Sequence, residues 1–250
     1  MLHSVVNRMA AEFWRLVGKY ETFPRSLESS VAWALPLAIV KLPHLGLKEI
    51  CNWLGEKGIS VNFHSPDRLL RACLIAQSGR GIIFLDGSDP EDERRFSLAH
   101  EIAHFLKDYL YPRKSILSLF GEDLRDVLDG YRRPTPEERL KGVFRGVSLG
   151  TYTNLMERSP KGDVEKAQIL DSEDFADQLA LELLAPRDEV SKRLEAQGIC
   201  WRKESAFQMA SQTLIQQFGL TPVIAERYGA IIVLEHRQAK SFREWLGVQI

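Results

Sequence analysis

The sequence predicts an α+β fold, mostly helical, with a small three-stranded sheet and helical segments at both ends. Three observations carry that reading. Apolar residues recur at helical spacing towards both termini, three short β-like runs lie between residues 59 and 85, and strongly capped helices follow them. The organisation expected is a helical N-terminal segment over residues 1–55, a central domain over 56–190 with an insertion at about 109–170, and a helical, helix-turn-helix-like C-terminal segment over 191–250.

Near the N-terminus, Val5, Val6, Met9, Phe13, Leu16 and Val17 share a helical stripe, and Pro24, Pro36 and Pro43 divide the remainder of the N-terminal segment into further helices. A helix over about 45–56 aligns Leu47, Ile50, Trp53 and Leu54 and ends at Gly58. The β-like runs are 59–63, 70–76 and 81–85, the last two joined by the turn-prone Ser78-Gly79-Arg80-Gly81. Asp89-Pro90-Glu91-Asp92-Glu93 starts the next helix, with Asp as cap, Pro in the first position and acids where the helix dipole favours them; it is expected to reach about Lys107. Six glycines then interrupt residues 109–170, which are expected to be irregular apart from a helix at the capping box Thr135-Pro136-Glu137-Glu138. Asp171-Ser172-Glu173 opens a helix carrying Phe175, Ala176, Leu179, Ala180, Leu183 and Leu184. Three more helices are expected over about 187–197, 205–218 and 222–233.

With 33 basic and 34 acidic side chains, a net charge of -1, 44% hydrophobic and 27% charged residues, the composition is that of a soluble globular protein. It excludes wholesale disorder and argues against bulk attraction to nucleic acid or an anionic membrane. The longest apolar run, 31–40, is broken by Pro36 and followed by Lys41, short of the roughly 20 residues a membrane span needs. Glu12, Arg15, Lys19 and Glu21 interrupt any secretory pattern. Cys51, Cys73 and Cys200 form no C-x-x-C pair, which excludes a disulfide framework or a cysteine zinc knuckle and suits a reducing compartment. A cytoplasmic protein with no membrane partner is expected.

Residues 96–106 contain H-E-x-x-H on a predicted helix, at His100, Glu101 and His104. Positions four apart differ by about 40° around a helix of 3.6 residues per turn, so both imidazoles leave one face and can chelate one cation. Neutral imidazole is a good zinc ligand, and two of them leave room for one more protein ligand and a water. The adjacent Glu101 carboxylate can take a proton from that water, whose pKa a metal lowers to about 7. With six histidines in the chain, an accidental match is expected in about one such sequence in a hundred, so two ordinary helix histidines are the weaker explanation.

The third ligand must come from elsewhere. Lys107 and Leu110 occupy the positions where H-E-x-x-H-x-x-G-x-x-H needs Gly and His, which excludes that class. His3, His44, His64 and His236 are isolated. The best source is Glu173-Asp174-Phe175-Ala176-Asp177: with Glu173 as ligand, Asp177 one turn on can hydrogen-bond the outer nitrogen of a liganding His. Acids are also what any helix start favours, so Asp171, Asp174 and Asp177 stand as alternative ligands. Tyr109, Tyr111, Tyr152 and His64 are candidate donors to an oxyanion.

Together, Arg94-Arg95-Phe96-Ser97-Leu98-Ala99-His100-Glu101-Ile102-Ala103-His104 and Glu173-Asp174-Phe175-Ala176-Asp177-Gln178-Leu179-Ala180-Leu181-Glu182-Leu183-Leu184-Ala185-Pro186 resemble the ImmA/IrrE metallopeptidases. The family pattern is approximately R-R-F-T-L-A-H-E-x-x-H and then E-x-E-A-N-x-F-A-A-x-L-L-M-P, and the resemblance extends over about residues 43–235. It implies a zincin-like metallopeptidase fold. It also implies zinc-dependent cleavage of an intracellular protein, commonly a helix-turn-helix transcriptional repressor, to switch on stress, phage or mobile-element genes. By motif position it implies His100, His104 and Glu173 as metal ligands and Glu101 as the catalytic glutamate. Asp177 stands where the family usually has Asn and keeps a hydrogen-bonding side chain. Zn2+ is the implied cofactor, with Mn2+ as the alternative. The 69-residue step from His104 to Glu173 is longer than the family's, which places an insertion beside the site: a substrate-selecting exosite, a lid or an inert excursion.

Residues 214–225 read as helix, glycine turn and capped second helix. Residues 191–250 hold eight basic and five acidic side chains, a weak excess for DNA binding, so a packed helix pair is preferred to a DNA reader. The expected function is therefore a zinc-dependent intracellular endopeptidase with a protein substrate. The alternative is a non-catalytic metal-binding regulator acting by protein or DNA binding.

Overall fold

The computed structural model describes residues 2–59, 61, 63, 66–140, 146–158 and 167–245. Two compact units result: Met1–Lys19 with Leu27–Ala180, and Tyr20–Ser26 with Leu181–Ile250. In the first, α1 (Leu2–Val17) and α2 (Glu28–Ala34) precede β1 (Leu37–Leu42), α3 (Leu47–Glu56), β2 (Leu70–Gln77), β3 (Arg80–Asp86) and α4 (Glu91–His104). Six π-helical residues, Phe105–Leu110, continue α4 into α5 (Tyr111–Phe120), followed by α6 (Arg125–Leu128), α7 (Pro136–Leu140) and β4 (Tyr152–Glu157). Then comes α8 (Ala167–Leu184), inside which the unit boundary falls.

The sheet has four strands in the order β1-β3-β2-β4, with β1 parallel to β3 and the other pairs antiparallel. The expectation of three strands is corrected twice over. The run at 59–63 is not a strand at its described residues 59, 61 and 63; Val61 and Phe63 alternate because they pack against the α3 core without joining the ladder. Two strands were unforeseen: β1 lies in the segment expected to be helical, and β4 in the one expected to be irregular.

Strands β2 and β3 are apolar at nearly every position because both their faces are covered. Cys73, Ile75 and Phe84 pack with Leu47, Ile50 and Leu54 of α3. The alternate residues Ala72, Leu74, Ile83 and Leu85 point to the opposite face, where α4 packs on β2, β3 and β4. Helix α4 is thereby buried continuously from Arg95 to His104, which withdraws two histidines and a glutamate from water. A Cβ at Gly81 would lie 2.7 Å from Leu37 and 3.1 Å from Phe105. The close approach of β1, β3 and the π-helical segment therefore requires a residue without a side chain.

The helical run does not stop near Lys107 as expected. Pro112 has no N–H and its ring crowds the carbonyl four residues back, so the preceding turn widens to a π-turn instead of ending. The Tyr111 N–H accordingly reaches the Leu106 carbonyl. The capping box is realised: the Glu138 N–H donates to Thr135 Oγ1 at 3.3 Å and the Thr135 N–H to Glu138 Oε2 at 2.7 Å. Helix α8 begins at Ala167, not at Asp171, so Glu173 lies outside the first turn and a helix-start preference does not account for it.

Asp86 at the end of β3 is 2% exposed. It accepts the N–H groups of His44 (3.0 Å), Leu45 (3.1 Å) and Ser88 (2.8 Å) and the Arg158 guanidinium (2.6 Å). Burial opposes its charge, yet these donors prevail and hold its pKa below the ordinary carboxylate value. Asp89 is also held by Arg158 and does not cap the helix; α4 begins at Glu91 after Pro90, one residue later than expected. Asp86→Ala is expected to destabilise the chain by about 2–4 kcal/mol at neutral pH, since it strands buried donors. Because the folded pKa is depressed, this stabilisation is complete above the unfolded value of about 3.9 and is lost as pH falls through the folded one. Urea denaturation of wild type and variant should converge in acid.

The second unit holds α9 (Arg187–Ala196), α10 (Ser205–Phe218) and α11 (Pro222–Trp245). Helix α11 continues to Trp245 rather than stopping near residue 233 as expected. Within this unit the Arg25 guanidinium donates to the Leu183 carbonyl at 2.6 Å, and the Tyr228 hydroxyl donates to the Ala185 carbonyl at 3.2 Å. Among the described residues, no helix is long and apolar enough to cross a membrane.

Candidate metal centre

Helix α4 brings His100, Glu101 and His104 to the face that meets β4, and α8 brings Glu173 and Asp177 to the same place. His100 Nε2 and His104 Nε2 are 3.0 Å apart. Glu173 Oε2 lies 3.2 Å from the first and Oε1 lies 3.4 Å from the second. Ligand atoms of these three residues all fall within 4.8 Å of one another, the only such group of His, Cys, Asp and Glu among the described residues.

The outer nitrogens decide what this cluster can hold. His100 Nδ1 is 2.8 Å from Asp177 Oδ1, and His104 Nδ1 is 2.7 Å from Asp108 Oδ2. A carboxylate at each Nδ1 fixes the proton there, so the Nε2 lone pairs face each other and the Glu173 carboxylate. Three electron-pair donors with no proton among them repel unless a cation lies between. Their spacing suits one: ligand atoms at about 2.0–2.1 Å from a tetrahedral zinc lie roughly 3.3 Å apart. Without a cation, a proton answers the same demand for positive charge. Burial would lower the His100 pKa, but hydrogen bonds to Asp177 and Glu173 and the charge of Glu101 push it up to about 10. Hydrogen bonds to His100 and His104 hold Glu173 well below the usual carboxylate range, against its desolvation.

Glu101 is fully buried. Burial raises its pKa, while the charges of His100 and His104 and the Asn154 amide oppose the rise. The Asn154 Nδ2 donates to both of its oxygens, at 3.2 and 3.4 Å. Asn154 is on β4 opposite Leu74, on the face that α4 covers. Two residues earlier, Tyr152 hydrogen-bonds Asp108, and burial reinforced by Asp108, Glu101 and Glu173 raises the phenol pKa and keeps it protonated.

Of the sequence candidates, His100, Glu101, His104, Glu173 and Asp177 thus converge. Asp174 is exposed and outside the cluster. His64 and the side chains of His3 and Asp171 lie outside the described residues. His236 stacks on Trp201 in the second unit. Tyr111 lies near Glu12 and Arg15 of α1, and the Tyr109 hydroxyl accepts the Gly79 N–H at 2.8 Å. Two contributors went unforeseen. Asp108 had a signal, since it follows His104 by four residues on one helical run; Asn154 had none, because its strand is recognisable only once paired with β2.

A family model for the IrrE N-terminal-like domain, a peptidase family, matches residues 56–122. The match takes in His100, Glu101, His104 and Asp108 and ends before Asn154 and Glu173, which the geometry supplies independently. No curated protein and no solved structure matches the chain.

Proposed function

We propose that the chain is a peptidase of the ImmA/IrrE kind, on the match of residues 56–122 to the IrrE N-terminal-like domain, and that it is a zinc-dependent endopeptidase that cleaves a helix-turn-helix transcriptional repressor in a stress, phage or mobile-element response. The observation that carries this reading is the convergence of His100, His104 and Glu173, from two helices, on one cation-sized space beside a buried glutamate. Zn2+ there, or Mn2+ as the alternative, supplies positive charge that lowers the pKa of water and polarises a carbonyl.

The remaining roles fall to the chain. Glu101 takes the proton of the attacking water and delivers it to the leaving amine. Asn154 holds the Glu101 carboxylate in register, and the protonated Tyr152 phenol, hydrogen-bonded to Asp108, is a candidate donor to a developing oxyanion. Asp108 and Asp177 fix the imidazole tautomers. Among the described residues β4 pairs only with β2, which leaves its outer edge for an extended substrate segment. Unpaired Cys51, Cys73 and Cys200 support a reducing, cytoplasmic setting.

Two expected results arise here. Asp177→Ala and Asp108→Ala should each weaken zinc binding by about 10- to 100-fold, measured by competition with a chromophoric chelator. Asn154→Ala should lower kcat by up to about a hundredfold with little change in KM, because it loosens the base without touching the ligands. The substrate assignment is tested by incubating the chain, loaded with zinc or manganese, with helix-turn-helix repressors from the genome that encodes it, beginning with any whose gene adjoins its own. One discrete cut that Glu101→Gln abolishes supports the reading; an intact partner after metal loading counts against a repressor substrate.

A further inference from the structure

A second cleft, of about 590 Å³, opens where the β2–β3 turn meets α5. Four cations line it, Arg80, Arg113, Lys114 and Arg125, against a single carboxylate, Glu122, which is taken by Arg125. Among the described residues neither Arg80 nor Lys114 has an ion-pair partner. Arg113 is 4% exposed, and its Nη2 is fixed by Asp129 at 2.6 Å. No protein acceptor among the described residues takes its remaining N–H groups. Gly79, at φ +78°, brings the turn so close that its own Cβ would lie 3.6 Å from Arg113 Nε. With glycine there, the turn sets no side chain against that guanidinium.

Glu122 and Asp129 offset two of the four charges; the remaining two, on Arg80 and Lys114, repel at close quarters, and an anion relieves that repulsion. Holding one guanidinium in place with a buried carboxylate prepays the ordering that anion binding otherwise costs. The Ser78 and Ser118 hydroxyls add neutral donors, and Pro36, Leu110 and Leu117 give an apolar wall. The volume is that of a site for a small organic molecule. Planar guanidinium forks recognise phosphate oxygens in pairs, whereas a single carboxylate leaves most of these donors unused. We propose that this cleft binds a small organic phosphate, with its phosphate group on Arg80, Arg113 and Lys114 and its apolar part on Leu110 and Leu117. The site is independent of the peptidase reading.

The test is calorimetric titration of the full-length chain with pyrophosphate and with adenosine diphosphate, against sodium chloride at matched ionic strength. Saturable binding of either phosphate compound, weakened about tenfold or more in Arg80→Ala/Lys114→Ala, is expected. Because neither replaced side chain has an ion-pair partner among the described residues, the thermal midpoint of the ligand-free variant should stay at the wild-type value, which separates lost binding from lost folding. The proposal is overturned if neither compound binds saturably beyond the chloride control, or if the double variant binds as tightly as wild type. Binding of a glutamate-rich peptide without binding of either phosphate overturns it as well, and assigns the cleft to an acidic protein segment.

Discussion

Glu101→Gln is expected to leave the chain folded and able to hold its cation, and to lower peptide hydrolysis by about 10²- to 10⁴-fold, the range attributed to a positioned acid–base group. The substitution keeps shape and an acceptor for Asn154 while removing the site to which the water proton goes. It also replaces a fully buried ionisable group with a neutral one, so the thermal midpoint should stay equal or rise. Rate, metal content and thermal midpoint measured on one preparation separate these effects. An unchanged rate with full metal content would remove Glu101 from the chemistry. A regulator that acts only by binding a partner would keep its biological effect in this variant.

Glu173→Ala is expected to abolish the stabilisation that zinc confers. A ligand at 100 times its dissociation constant stabilises a folded chain by about 2.7 kcal/mol, and losing a direct ligand should cost at least the hundredfold in affinity that an outer hydrogen-bonding partner can cost. At that concentration the wild type should show a clear rise in thermal midpoint and the variant almost none. Glu173 is the informative choice because it is half-exposed, so its removal opens no core cavity, whereas His100 and His104 are buried and their truncation mixes packing with binding.

The contrast between what could and could not be read from the sequence comes from the range of the interactions. His100, Glu101, His104 and later Asp108 lie on one helical run, where spacing alone fixes which side chains share a face. Glu173 and Asp177 were legible for the same reason, although placing them against α4 needed a resemblance. Asn154 and Tyr152 reach the site only through pairing of β4 with β2, about 80 residues earlier in the chain, and no local pattern encodes that partner. Strand β1 was missed because the short apolar run Leu37–Leu42 cannot be told from a buried helical segment by periodicity; its parallel pairing with β3 decides the matter. The run at 59–63 misled in the opposite sense, since one-sided packing produces the same alternation as a sheet face.

Anomalous X-ray diffraction at the zinc edge, from crystals of the full-length chain grown with one equivalent of zinc, tests the metal centre most directly. One peak within bonding distance of His100 Nε2, His104 Nε2 and the Glu173 carboxylate is expected, and none there in Glu173→Ala. A folded wild-type chain whose only peak lies elsewhere, or which shows no peak, would contradict the account.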